Sequence, residues 1–388
     1  RPSSASRFNQ PRQVLFLRNN NVALPFSTDW LPTLRVNPKS PAHRRLLRLF
    51  AFVLAAGDTA VAAPPAPSSA RVLEVRKIWD QGEHNAFTDL IRWRGRWWCT
   101  FRESAAHVGG DGAIRVLESA DGVTWTSAAH VTEKDIDLRD PKFSITPDDR
   151  LMINCGGSVY LGTKQLKSRQ SRVLFSRDGR QWTPPARVLH EGEWLWRVTW
   201  REGTAYGVAY ANGVNPNKAT PSNEWNAMLY SSRDGLKWER VAPLEVTGRP
   251  NETTLRFLPN GDLVAMVRRE SGNQKGSFGV ASPPYQRWTW TETGHRFGGP
   301  NFIRAPDGGS WIVCTRDHTG AQPGSNKGVS TVVARLGENG QLAPLATLPS
   351  GGDCSYAGLA WHDGRLWVSY YSSHEGKSAI YLAKLVVP

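Results

Sequence analysis

From Arg71 onward, short runs rich in Val, Ile, Leu, Trp and Tyr alternate with Gly, Asp and Asn clusters. This is the pattern of an all-β chain, in which apolar runs are strands and the polar clusters reverse them. Six reversals are tight and are flanked by apolar strands on both sides: "RWRGRWW", "TPDDRLM", "WREGTAY", "LPNGDLV", "APDGGSW" and "WHDGRLW". Their reference residues, Gly95, Asp149, Gly203, Gly261, Gly308 and Gly364, are separated by 54, 54, 58, 47 and 56 residues. That period leaves room for four strands per repeat. The spacing predicts an all-β fold, a six-bladed β-propeller of four-stranded antiparallel blades over 71–388. A two-sheet sandwich is the other architecture compatible with such repeats.

A second pattern has the same period. Ser-x-Asp-Gly-x-x-Trp occurs at Ser119–Trp125, Ser176–Trp182 and Ser232–Trp238, with the aspartates 57 and 56 residues apart. In a meander of four strands, this turn joins the third strand to the outer one. Antiparallel pairing then puts it on the same rim as the Gly turns. The starts of the inner strands and the ends of the second strands fall on the opposite rim, where loops are long and sites are commonly built.

Six to ten residues before the Gly turns lie Asn85, Asp140, Arg197, Glu252, Asn301 and Tyr356. Seven or eight residues after them lie Arg102, Gly156, Tyr210, Arg268, Arg316 and Tyr371. Polar groups therefore recur where strands approach the axis, which predicts a solvated funnel that holds a ligand. Arg102, Arg268 and Arg316 offer planar forks suited to a carboxylate. Each also has an acidic neighbour, Glu103, Glu270 or Asp317, with which it could form a surface ion pair instead.

Charge refines this picture. The chain of 388 residues carries a net +14, but half of the excess lies in residues 1–63, with nine Arg/Lys against two Asp/Glu. The remainder is mildly basic, which fits anionic small ligands and argues against nucleic acid. Within the first 63 residues, Arg44, Arg45 and Arg48 precede a short apolar run, then "AVAA" and a Pro/Ser stretch. This is the grammar of a secretory signal, and the run is shorter than the roughly 20 residues that span a bilayer. The expectation is upstream sequence before a signal at about 44–63, with cleavage near Ala62 or Ala63. A linker follows at 64–70, and the product is secreted or periplasmic and monomeric, with no membrane span. Four cysteines, Cys99, Cys155, Cys314 and Cys354, allow three pairings that the sequence leaves open. There is no CxxC, HExxH, P-loop or dinucleotide motif, so no cofactor and no structural metal are expected.

With the turns and rim residues in hand, the chain resembles the sialidases, six-bladed propellers whose Asp-boxes read Ser-x-Asp-x-Gly-x-x-Trp. The boxes here are one residue shorter. "NETTLRFLPNGDLVAMVRRES" resembles the segment that carries a glutamate and a triad arginine, which the resemblance assigns to Glu252 and Arg268. "GDCSYAGLAWHDGRLWVSYY" resembles the segment with the nucleophilic tyrosine, here Tyr356, and Arg316 matches the last triad arginine. The chain departs from the pattern in the first blade, where "EHNAFTDL" replaces Arg-Ile-Pro. Arg102 is the candidate substitute. The acid aspartate is replaced too: His107 stands twelve residues before Ser119, with Asp111 as the nearest carboxylate.

The expected substrate is an anionic glycan. Three functions follow: removal of a terminal sialic acid or related 2-keto acid by a Tyr356/Glu252 pair; a uronate-directed glycosidase or lyase using His107 and Tyr356; or glycan binding without catalysis. Asn85, Asp140 and Arg197 join the three arginines as candidate substrate contacts.

Overall fold

The computed structural model describes residues 69–109, 112–162, 164–211, 225–322, 325–337 and 339–388. The expected leader over 1–63, most of the 64–70 linker and Asp111 lie outside the described residues. The chain divides into two units, Arg1–Ala63 and Pro64–Pro388, and the second carries every residue described below.

Among the described residues, the apolar runs become 24 strands in six antiparallel sheets of four. β1 (Arg71–Trp79) stands ahead of the first blade, which is β2 (His84–Trp93), β3 (Arg96–Ser104), β4 (Ala113–Ser119) and β5 (Thr126–Val131). The second blade is β6 (Asp137–Ile145), β7 (Leu151–Leu161), β8 (Gln165–Ser176) and β9 (Ala186–Val188). The third is β10 (Glu193–Arg201), β11 (Thr204–Ala211), β12 (Asn226–Ser232) and β13 (Glu239–Pro243). The fourth is β14 (Pro250–Phe257), β15 (Leu263–Arg269), β16 (Lys275–Ala281) and β17 (Thr289–Arg296). The fifth is β18 (Asn301–Arg304), β19 (Trp311–Asp317), β20 (Ser330–Leu336) and β21 (Leu342–Leu348).

The sixth blade takes β22 (Cys354–His362), β23 (Arg365–Ser372) and β24 (Ala379–Val386) from the C-terminal end and β1 as its outer strand. β1 pairs antiparallel to β24 from Arg71↔Val386 to Trp79↔Ile380, so the two ends of the propeller close one sheet. The six-bladed propeller is therefore present, and the sandwich is not.

Position in the blade explains the sequence pattern. β3 is buried without a break from Trp97 to Arg102 and β7 from Leu151 to Ser158, because neighbouring blades cover both faces there. The outer β5 is largely exposed and reads polar. Large rings fill the seams: Trp97 of the first blade lies 4.5 Å from Trp367 of the sixth. All four cysteines are buried and unpaired, so none of the three pairings forms.

The Ser-x-Asp turns have one geometry. Asp121 Oδ1 accepts from the backbone N–H groups of Val123 and Thr124 and from Ser119 Oγ, whose oxygen in turn accepts from Gly122 N. Trp125 Nε1 closes the turn on Gly122 O, and the other two copies repeat these bonds. Gly122 and Gly179 sit at φ +74 and +77, where any Cβ would run into Trp367 or Trp98 of the adjoining blade. The glycine is thus required twice, for the turn and for the seam.

The bonds from Thr124 N, then Val123 N and Ser119 Oγ, pull the Asp121 carboxyl down to about 2. A depressed carboxylate stabilises the fold above its unfolded pKa of about 3.9, and that contribution is lost as pH falls toward 2. Asp121→Asn should flatten acid unfolding between pH 4 and 2, as read by circular dichroism.

Candidate active site

Five of the six inner strands carry a two-residue bulge near their start. The register skips between Ala86 and Asp89, Arg139 and Lys142, Leu195 and Val198, Pro250 and Thr253, and Ser355 and Gly358. A bulge re-aims side chains away from the sheet. The bulged residues are Phe87, Asp140, Trp196, Glu252 and Tyr356, with their neighbours. Phe87, Asp140 and Tyr356 sit at φ +66, +51 and +53, a conformation that non-glycine residues adopt at a cost of about 1–3 kcal/mol.

Two of these bulges meet across the axis. The Tyr356 hydroxyl donates to Glu252 Oε1 at 2.7 Å and accepts from Arg268 Nη1 at 2.9 Å. Arg268 Nη1 is also 2.7 Å from Glu252 Oε1, and its Nη2 pairs with Glu270. Glu252 Oε2 accepts from Gly299 N at 3.0 Å. The Arg316 guanidinium lies over the Tyr356 ring at 5.7 Å and donates to Cys354 O. Burial first, and then the Glu252 charge, push the Tyr356 phenol well above its ordinary range. Burial would lower Arg268, but Glu252, Tyr356 and Glu270 outweigh it.

His107 joins the same floor through Phe87, whose ring lies 5.2 Å from both the His107 and the Tyr356 rings. His107 Nδ1 is 2.5 Å from Asp353 Oδ2, and His84 Nε2 reaches the same oxygen at 3.1 Å. Asp353 Oδ1 accepts from Tyr371 at 2.7 Å and lies 3.5 Å from Arg316. Burial would raise the Asp353 carboxyl, yet the bonds from His107, His84 and Tyr371 hold it far below the usual carboxylate range. With Nδ1 on Asp353, Nε2 is the His107 ring nitrogen outside that contact. The donor atoms of His84, His107 and Asp353 lie within 4.8 Å of one another, a set that could also ligate a transition-metal ion.

The other expected contacts have different surroundings. Arg102 is 0% exposed; its Nε and Nη2 bond both Asp137 oxygens at 2.7 and 2.9 Å, and Nη1 bonds Ala106 O. It braces the seam between the first two blades and does not replace the missing arginine. Asn85 is likewise fully buried, donating to Gly82 O and Ser378 O. Arg197 pairs with Asp89 at 2.8 Å and bonds Ala357 O, deep on the axis. These three residues hold blades together, because strand starts near the axis are close enough to pair with their neighbours. Asp140 is half-buried; burial pushes its carboxyl up against the opposing pull of Arg139 and Lys142.

Sequence reasoning passed over Asp353, Arg139 and Gly299. Asp353 stands three residues before Tyr356 in "GDCSYAG", a spacing that could have signalled it. Arg139 places its guanidinium 5.1 Å over the Phe87 ring, so the second blade supplies a cation next to the place where the first lacks one. Gly299, at φ +59, leaves no room for a Cβ, which would stand 2.5 Å from the Tyr356 ring. Gly299→Ala should displace that ring and cut turnover on the order of a hundredfold, as read by kcat, with the folded far-ultraviolet spectrum retained.

With this geometry established, comparison with solved structures gives the context. A protein of unknown function from Dyadobacter fermentans superposes with a TM-score of 0.68 at 20% identity, covering 82% of this chain and all of the other. A Trypanosoma rangeli sialidase matches at 0.62 and 10% identity over 83% of this chain, which spans 60% of the sialidase. A Penicillium chrysogenum α-L-arabinanase matches at 0.60 and 14%, covering 80% of this chain and 98% of the arabinanase. The chain has a six-bladed β-propeller fold, which it shares with this sialidase and this arabinanase. No protein-family profile and no curated protein sequence matches it. At these identities the likeness is one of fold, and the chemistry rests on the residues above.

Proposed function

We propose that this propeller is a glycoside hydrolase that removes a terminal anionic sugar, a sialic acid or a related 2-keto acid, from a glycan. The observation that carries the reading is the Tyr356 hydroxyl held between Glu252 and Arg268. A sugar with a carboxylate on its anomeric carbon would repel a carboxylate nucleophile, and a neutral phenol avoids that repulsion. Tyrosine nucleophiles are a known exception to the usual pair of carboxylates.

In the first step the Tyr356 oxygen bonds to the anomeric carbon and the glycosidic C–O bond breaks. Glu252 takes the phenol proton, and His107 Nε2 protonates the departing oxygen. In the second step water displaces Tyr356, His107 takes a proton from that water, and Glu252 returns its proton to the phenolate. Arg268 and Arg316 lower the cost of the phenolate. Together with Arg139 they form the cationic side of the floor, where the sugar carboxylate is placed. In this reading Asp140 bonds a sugar hydroxyl.

Two observations favour a second reading, a uronate-directed glycosidase or lyase with His107 and Tyr356 as acid and base. Asp353 orients His107 as it would a general base, and Phe87 fills the floor where sialidases carry an arginine. A panel of a fluorogenic sialoside, other 2-keto acid glycosides and uronate glycans separates the readings. Sugar release that vanishes in Tyr356→Phe supports the first. An unsaturated product absorbing in the ultraviolet supports lyase action. Binding without turnover on every substrate overturns both and leaves a glycan-binding propeller.

Because His107 is assigned to proton transfer, turnover should be unchanged in EDTA. Loss on chelation with recovery on added zinc would make His84, His107 and Asp353 metal ligands instead.

A further inference from the structure

A cleft of ≈ 390 Å³ opens between the fourth and fifth blades, and Arg316 of the Tyr356 site is part of its wall. Beside Arg316 the wall carries Lys275, His295, Arg296 and His318 against one acid, Asp317. Aliphatic groups such as Val332 and Leu342 complete the lining. The walls come from β16 and β17 on one side and from β19, β20 and β21 on the other, so both blades are needed to form it.

Among the described residues, two nitrogens there are buried without a partner, Arg296 Nε and His318 Nε2. An unmet donor or acceptor in a buried place is costly unless something else satisfies it. Among the described residues, the one acidic contact of Arg296 is long, 3.9 Å from Nη2 to Glu270 Oε2, and Glu270 is already paired with Arg268. Burial first, then the charges of Arg296, Arg316 and Arg268, push His318 down to about 4, which reports a positive field in the cleft. His318 is therefore neutral at pH 7, and the fixed charges are Lys275, Arg296 and Arg316 against Asp317.

We infer that this cleft is a second subsite, which takes an oxyanion, carboxylate or sulfate, carried by the leaving-group portion of the glycan. The inference rests on reading the Tyr356 site as a glycosidase. Arg316 links the two: it lies over the Tyr356 ring on one side and lines the cleft on the other. A substrate with its terminal sugar on Tyr356 would extend its next unit past Arg316, where an aliphatic surface meets a sugar ring and Arg296 and Lys275 meet its anion.

The test uses two substrates with the same terminal sugar, one on a neutral aglycone and one on an aglycone bearing carboxylate or sulfate. In the full chain with Lys275→Gln and Arg296→Gln, kcat/KM for the anionic aglycone should fall about tenfold or more. The value for the neutral aglycone should stay unchanged, which reports an intact Tyr356 site. An equal fall on both substrates, or no fall on either, overturns the subsite. Comparing carboxylated with sulfated aglycones shows which anion it takes. If neither substrate is turned over by the unmodified protein, the glycosidase reading fails, and calorimetric titration with a sulfated disaccharide then reads the cleft alone. Binding that weakens in the double variant retains an anion site there, and binding that does not change removes it.

Discussion

Tyr356→Phe is expected to lower kcat by about a thousandfold or more while leaving the fold and substrate affinity nearly intact. The hydroxyl is the only atom removed, and it is the atom held between Glu252 and Arg268. The ring stays wedged against Phe87, Trp196 and Tyr371, so the bulge of β22 keeps its shape. Glu252→Gln should show the same sign with a smaller loss, because an amide still accepts the tyrosine hydrogen bond but does not take its proton. The measurement is steady-state kinetics on a fluorogenic substrate, with binding of the released sugar as the control. A variant that keeps its kcat would remove Tyr356 from the chemistry.

The second large effect falls on stability. Asp137→Ala should destabilise the propeller by about 3–5 kcal/mol, because it strands the Arg102 guanidinium where nothing reaches solvent. For a folded unit of this size that corresponds to a fall in Tm of about 4–7 °C. Replacing both partners by apolar residues, Arg102→Met with Asp137→Leu, should recover most of the loss, since desolvation of the pair is then avoided as well. Scanning calorimetry on the single and double variants checks this. A thermally silent Asp137→Ala, or one whose only defect is a raised KM, would return Arg102 to the ligand site.

The same arginine shows where sequence reading succeeds and where it stops. Turn spacing located every blade, because a tight turn depends on a few adjacent residues and leaves a mark at each one. The rims followed from strand direction alone. Equivalent positions in the blades were therefore legible, and Tyr356, Glu252, Arg268 and Arg316 do gather. What a polar side chain does at such a position depends on its partner in another blade. Arg102 and Arg268 look alike along the chain, yet one is bound to Asp137, 35 residues on, and the other to Glu252 and Tyr356. The bulges were also illegible, since an extra residue in a strand needs no particular amino acid. Closure by β1 could have been read: Arg71–Trp79 is a strand without a hairpin partner, and the last repeat is one strand short.

The most direct test of the central claim is to trap the sugar on the protein. An anionic glycosyl fluoride carrying a second fluorine beside the anomeric carbon slows the second step more than the first. Incubation followed by peptide mass spectrometry should find one sugar mass added, on the peptide that contains Tyr356. Turnover of the ordinary substrate should release sugar with its anomeric configuration retained. No adduct together with an inverted product, or an adduct on any residue other than Tyr356, would contradict the account.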